Sequence, residues 1–274
     1  MLISDSCVDF NDQVFGTAQI ERIPFKITID QYELIDKNLD KSMLLLKMKE
    51  TKNKISTSCP SPNDFLEAFQ KNEENFVVTI SSKLSGSYNS ALTAKELLSQ
   101  NNPDSFVYIF DSKTASAGES LVALKVKELL EENLNPSQTI QKVNEYISQL
   151  KTLFILNSLD NLAKNGRIKN YQALIGSLLN IVPIMCANDD GEIIAKEKVR
   201  GRKKAFSRLV DLIGESSVDF KNTLLAITHV NAPEKAQELK EAIKSKYPFK
   251  EILIFEASGL SSVYADNGGI IIAF

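Results

Sequence analysis

Four stretches of this chain gather hydroxyl side chains at a spacing that suits anion binding. Ser81, Ser82, Ser85, Gly86 and Ser87 follow an apolar run, and Ser56, Thr57 and Ser58 precede Cys59-Pro60. Ser112, Thr114 and Ser116 follow Asp111, and Ser4 and Ser6 flank Asp5. Hydroxyls and free backbone N–H groups hold a carboxylate or a phosphate, and a helix N-terminus adds about half a unit of positive charge. Any one such loop is equally an ordinary helix-entry turn. Their recurrence after several strands favours a functional use.

Catalytic alternatives are thin. Serine hydrolysis needs a nucleophile, a base and a group that orients the base. His229 is the single imidazole in the chain, and no G-x-S-x-G occurs. In LLAITHVNAPEK that histidine stands just past a buried apolar strand, where a structural hydrogen bond is at least as good a use for it. The phosphate loops G-x-x-x-x-G-K and G-x-G-x-x-G are missing, and no His, Cys or carboxylate cluster has metal-ligand spacing. The hydroxyl loops therefore suit holding an anion more than transforming one. A serine-dependent hydrolase or phosphotransferase, acting through Ser85 or Ser6 on a small anionic substrate, is the alternative. A sensor of some other amphipathic acid is a third reading.

The elements that must position these loops follow from periodicity. Val77, Val78 and Ile80 make a β-branched strand; Tyr88, Ala91, Leu92, Lys95 and Leu98 then fall at helical spacing. Met1–Ile3 and FVYIF at Phe106–Phe110 read as strands, and a long helix follows from about Glu119 to Glu132. Ile20–Ile29, with Pro24 early, suits one edge strand or extended segment. Strand–loop–helix alternation predicts a parallel α/β sheet, whose ligands sit at the C-terminal strand ends.

The second half is less regular. Strands are expected at Leu153–Leu156, Ile181–Cys186, Leu224–Thr228, Glu251–Ala257 and Gly268–Phe274, with an apolar helix over Tyr171–Asn180 containing Gly176. Asn188-Asp189-Asp190-Gly191 predicts a hairpin whose return strand is Glu192–Val199. The fold class is thus α/β: an N-terminal parallel-sheet domain, residues 1–151, and a second domain with a mixed sheet, residues 152–274.

At 274 residues, 24% charged and 43% hydrophobic, the chain has the composition of a soluble globular protein with ample core. A net charge of -3 gives no general attraction to nucleic acid or anionic membrane. No apolar run approaches a membrane span, and the N-terminus lacks a signal-peptide pattern. Cys7, Cys59 and Cys186 are an odd set that fits reduced cytoplasmic thiols.

At this point the residues resemble a known family. ISSKLSGSYNSA is similar to the signature loop of the DegV family, the bacterial fatty-acid-binding proteins that include the FakB subunits of fatty acid kinase. SDS at Ser4–Ser6, TSCPSPNDF at Thr57–Phe65 and FDSKTAS at Phe110–Ser116 match in order. So do LAKNGRI at Leu162–Ile168, LIGSLLNIVPI at Leu174–Ile184 and KVRGRKKA at Lys198–Ala205.

The resemblance implies a non-enzymatic, cytoplasmic carrier that buries one fatty acid of about C16–C18 in a tunnel between and into two domains. It implies no cofactor, no nucleic acid and no stable membrane insertion. The family's carboxylate-binding hydroxyls map onto Ser58, with Thr57 beside it, and Ser85. Kinase-linked members present the carboxylate to a separate fatty acid kinase subunit, which makes an acyl phosphate. Arg167 and Arg200, with Arg202 nearby, become candidates for head-group contact or kinase docking; without the resemblance, the basic run around Arg200 is a solvated face.

Three positions depart from the family pattern. Cys59 stands where the family usually has Gln, and Cys7 where Thr is common. The C-terminal H-x-G-P-G is replaced by YADNG at Tyr264–Gly268, which puts Tyr264 where members carry a histidine near the carboxylate. A phenol donates a hydrogen bond but carries no positive charge near neutral pH. Each buried methylene contributes roughly 0.8 kcal/mol, so a C16–C18 tail supplies on the order of 10 kcal/mol before ordering costs. The tail then governs affinity and the head loops govern orientation.

Overall fold

The computed structural model describes residues 1–16, 20–169 and 180–274. In the first half lie β1 (Leu2–Asp5), β2 (Ile20–Ile23), β3 (Lys26–Ile29), β4 (Tyr32–Ile35), β5 (Ser56–Ser58), β6 (Glu74–Thr79) and β7 (Phe106–Asp111). Strands β2-β1-β6-β7 form a sheet with every neighbour parallel. Phe76, Val77 and Val78 of β6 are all fully buried, as a parallel sheet covered on both faces requires. Helix Ser87–Asn101 covers one face with Ala91, Ala94 and Leu98. Helix Pro62–Phe69 packs beside it, started by a capping box between Ser61 and Asp64.

The segment expected as one edge strand over Ile20–Ile29 is two strands in two sheets. Ile23 ends the parallel ladder, Pro24 has no N–H to continue it, and the N–H of Phe25 turns inward to Ser6 Oγ at 3.0 Å. The chain then enters a small antiparallel sheet, β4-β3-β5, that the apolar pattern does not announce. Its inner face carries Ile27, Ile29 and Leu34, which pack with Leu44 of helix Lys41–Glu50 and with Val263.

The second half supplies β8 (Thr152–Ile155), β9 (Ile181–Ala187), β10 (Ile193–Arg200), β11 (Leu224–His229), β12 (Glu251–Glu256) and β13 (Ile270–Ala273). Their order is β10-β9-β8-β13-β11-β12; only β11 and β12 run parallel. The expected hairpin joins β9 to β10, with Ala187 opposite Ile193 and Gly191 at φ 85°. The helix expected over Tyr171–Asn180 lies outside the described residues, Asn180 excepted. A short helix not anticipated from the sequence, Gly259–Ala265, sits between β12 and β13.

Helix Ala117–Glu131 lies between the two large sheets. Ala117 to Ala123 are buried without a break, since both sides of the helix face protein. One apolar cluster runs through it from Phe76 and Phe110 to Phe154, Phe255 and Ile271. The hairpin tip adds a second tie, because Ser81 Oγ donates to the carbonyl of Gly191 at 2.8 Å. A Cβ at Gly191 would lie 2.3 Å from that hydroxyl, so the close approach requires glycine. No helix among the described residues is long and apolar enough to cross a membrane.

Candidate functional site

A cavity opens between the parallel sheet and the mixed sheet. Cys7, Ile80, Leu84 and Ala115 line it from loops at the C-terminal ends of the parallel strands, where the alternation pattern placed the ligand site. Phe154, Leu156, Ile193 and Ile271 line it from the mixed sheet, and Leu260, Ser261 and Tyr264 from the short helix. Few polar groups interrupt this wall. Thr114 and Thr152 answer each other, Oγ1 to Oγ1, at 2.8 Å.

The other polar residues of the wall are Ser116, Arg167, Ser261 and Tyr264. The Tyr264 phenol is hydrogen-bonded to Thr57 Oγ1 at 2.8 Å. Arg167 also lines the cavity; its Nε donates to the carbonyl of Leu84 at 3.0 Å and its Nη1 to that of Asn165. The same loop is fastened on both sides. Asn165 Nδ2 donates to Ile55 O at 3.0 Å, and Asn161 Nδ2 donates to Val263 O at 2.7 Å. Tyr264 and Arg167 thus reach the cavity wall from two separate elements, and Thr57 of β5 is tied to Tyr264 through the bond between their hydroxyls.

Ser58 falls elsewhere. Successive side chains of a strand point to opposite faces, so Thr57 faces Tyr264 while Ser58 stands on the outer, exposed face of β5 opposite Lys26. Ser85 is half-buried, one residue beyond the cavity-lining Leu84, and its Oγ accepts the N–H of Ser87 at 3.2 Å. The two loops do meet: a Cβ on Gly86 would lie 3.3 Å from Cys59 Sγ, and Cys59, Leu84 and Tyr264 share one apolar cluster. Arg200 and Arg202 are not part of the cavity wall. Arg200 is exposed at the end of β10; Arg202 reaches Gly268 O with Nη2 at 3.4 Å and stacks 5.5 Å from the Phe206 ring.

Most other hydroxyls of the serine loops are used inside the fold. Ser87 Oγ donates to Asp5 at 2.6 Å, Ser6 Oγ to Asp36 at 2.8 Å, Ser82 to Asp111 and Ser116 to Asp9. Neither Ser6 nor Ser85 bonds to an imidazole. His229 Nδ1 accepts the N–H of Ala232 at 3.3 Å, and burial holds its pKa below 6.5.

Beneath the loops lies a group of carboxyls that has no signature in the sequence. Asp5, Asp9, Asp36 and Glu119 are buried, and burial raises the pKa of each. Glu119 is pushed furthest, by burial and then by the charge of Asp5. Asp5, Cys7 and Glu119 place their ligand atoms within 4.8 Å of one another. Burial and the charge of Asp5 both favour the neutral, protonated form of Glu119. Scattered single carboxylates carry no periodic signal. The short helix does, in Ser258 as N-cap followed by Leu260, Val263 and Tyr264 at i, i+3 and i+4.

A mostly apolar cavity between two sheets, with a few hydroxyls and one guanidinium on its wall, is a candidate site for a small-molecule ligand. The chain belongs to the DegV family, whose family model matches residues 1–274. A DegV domain-containing protein of Streptococcus gordonii is 32% identical over 276 residues, covering 100% of this chain and 98% of that protein. A DegV family protein from Ruminococcus gnavus, solved with vaccenic acid, has a TM-score of 0.96 at 36% identity and covers 100% of this chain and 98% of its own. The Fatty Acid Kinase B3 protein of Streptococcus pneumoniae, loaded with linoleic acid, has a TM-score of 0.92 at 29% identity, with coverage of 100% and 98%.

Proposed function

We propose that this chain is a cytoplasmic carrier that binds one long-chain fatty acid in the cavity, with the carboxylate at the Thr57–Tyr264–Arg167 end. The observation that carries this reading is a mostly apolar cavity wall that also carries Arg167 and Tyr264, with Thr57 bonded to the Tyr264 phenol. The fatty acids held by two structures so similar over their whole length support it. Residues 1–151 supply Thr57 and Ser85 to the head-group end, and residues 152–274 supply Arg167, Tyr264 and most of the surface against the tail.

Within this proposal, Thr57, Tyr264 and Arg167 contact the carboxylate and Ser85 donates from the rim, while Ser58, on the outer face of β5, makes no contact with it. The protein performs no chemistry itself. It presents the carboxylate to a fatty acid kinase subunit, which docks on the basic surface around Arg200 and Arg202. Native mass spectrometry of protein stripped of lipid and incubated with oleate tests the binding reading. One added oleate per chain is expected; no added mass would end it. Charge removal at Arg200 and Arg202 is expected to reduce acyl-phosphate formation with an added kinase subunit and to leave oleate binding intact.

A further inference from the structure

The helix Gly259–Ala265 contributes Leu260, Ser261, Tyr264 and Ala265 to the cavity wall, yet it is only seven residues long. A helix of that length does not hold itself together in water, because nucleation fixes several residues for each hydrogen bond gained. Its entry is instead held from outside. Asp9 Oδ1 accepts the N–H of Ser258 at 2.7 Å. Asp36 Oδ1 accepts the N–H of Gly259 at 2.8 Å, and Asp36 Oδ2 accepts that of Leu260 at 2.9 Å. Three consecutive backbone donors are thus taken by two buried carboxylates, and Ser258 Oγ takes the next, from Ser261, at 3.2 Å.

Both carboxylates come from the other end of the chain. Asp36 lies in the loop after β4 and is fixed by Ser6 Oγ, which in turn accepts the N–H of Phe25 at 3.0 Å. Asp9 lies beyond β1 and is fixed by Thr228 Oγ1 at 2.8 Å and by Ser116. The fit at Asp36 admits no side chain on its partner: a Cβ at Gly259 would lie 2.4 Å from Asp36 Oδ1.

We propose that Asp36, assisted by Asp9, is a positioning residue for ligand retention: it clamps the entry of helix Gly259–Ala265 and so fixes Leu260 and Tyr264 against the bound acid. This rests on the fatty acid reading of the cavity. Asp36 itself does not line the cavity and acts only through the helix. The clamp sets how fast a bound acid leaves, since departure past Leu260 and Tyr264 requires the helix to shift.

The test compares wild type with Asp36→Ala, Asp36→Asn and Gly259→Ala by stopped-flow displacement of a fluorescent fatty acid, with amide hydrogen exchange measured on the same proteins without ligand. Loss of bonds to a charged acceptor is expected to speed dissociation about tenfold in Asp36→Ala. Exchange should rise at residues 258–265 while β1 and β6 stay protected. Gly259→Ala should copy it by displacing the carboxylate, and Asp36→Asn should recover part of the retention through its amide oxygen. Wild-type dissociation rates in folded Asp36→Ala and Gly259→Ala would overturn the proposal, as would exchange that rises equally throughout both sheets. Should wild type take up no fatty acid, the carrier reading fails separately; the clamp is then overturned if exchange at 258–265 is unchanged in Asp36→Ala.

Discussion

The two sides of the cavity are built on opposite principles. Apart from Thr152, the mixed-sheet side faces it with Phe154, Leu156, Ile193 and Ile271, side chains that offer area and no direction. The other side faces it with loop ends and a short helix, held by hydrogen bonds that cross more than a hundred residues of sequence, such as Thr57 to Tyr264 and Ser258 to Asp9. Apolar burial is non-directional and scales with area, whereas a hydrogen bond works only at one distance and angle. The difference assigns affinity to the sheet side and placement to the loop side.

The largest effect should come from filling the sheet side. Leu156→Trp is expected to weaken oleate binding by about a hundredfold or more, since excluding four methylenes forfeits about 3 kcal/mol. Equilibrium titration checks this, and wild-type affinity in the variant would break the comparison. On the loop side, Arg167→Ala should cost about tenfold through loss of one charge-assisted contact. Tyr264→Phe removes the bond to Thr57 and should cost about fivefold, with the acid still bound.

Ser85→Ala and Ser58→Ala sharpen the comparison further. Ser85→Ala should weaken binding by only a few fold but shift the carboxylate, readable in the signal of a carboxyl-labelled acid. Ser58→Ala, on the exposed face of β5, should have a smaller effect still than Thr57→Val. A larger loss in Ser58→Ala than in Thr57→Val would reverse the assignment of the two.

The smallest effect on binding is expected from Glu119→Gln, which instead reads the buried carboxyls. The folded-state pKa of Glu119 is raised well above its ordinary 4.5, so the folded protein holds that proton more tightly than the unfolded chain. The group's contribution to stability is full below 4.5 and is lost as pH rises through the raised value. Wild type should therefore lose thermal stability with rising pH across that window, and Glu119→Gln should flatten the dependence. Parallel melting curves for the two proteins against pH would contradict a raised pKa at Glu119.

What could be read in advance follows the same division. Continuous β-branched runs such as FVVT and FVYIF announce buried parallel strands, and Asn188–Gly191 announces its hairpin, because those signals are local. The serine loops were visible as polar segments after strands, but not which of their hydroxyls the fold would consume. Ser81, Ser82, Ser87 and Ser116 are taken by partners distant in sequence. The small sheet β4-β3-β5 leaves no clear pattern in the sequence because its strands are short and half polar, and the alternation that separates Thr57 from Ser58 is hidden with it. Asp36 and Asp9 gave no warning, since each acquires its role from a helix more than two hundred residues away.

The most direct measurement is a crystal structure of the protein loaded with oleate. The account predicts the carboxylate within hydrogen-bond distance of Tyr264, Thr57 or Arg167, and the tail running along Phe154, Leu156 and Ile271. A carboxylate placed instead beside Thr114 and Thr152, with the tail against Tyr264, would contradict it.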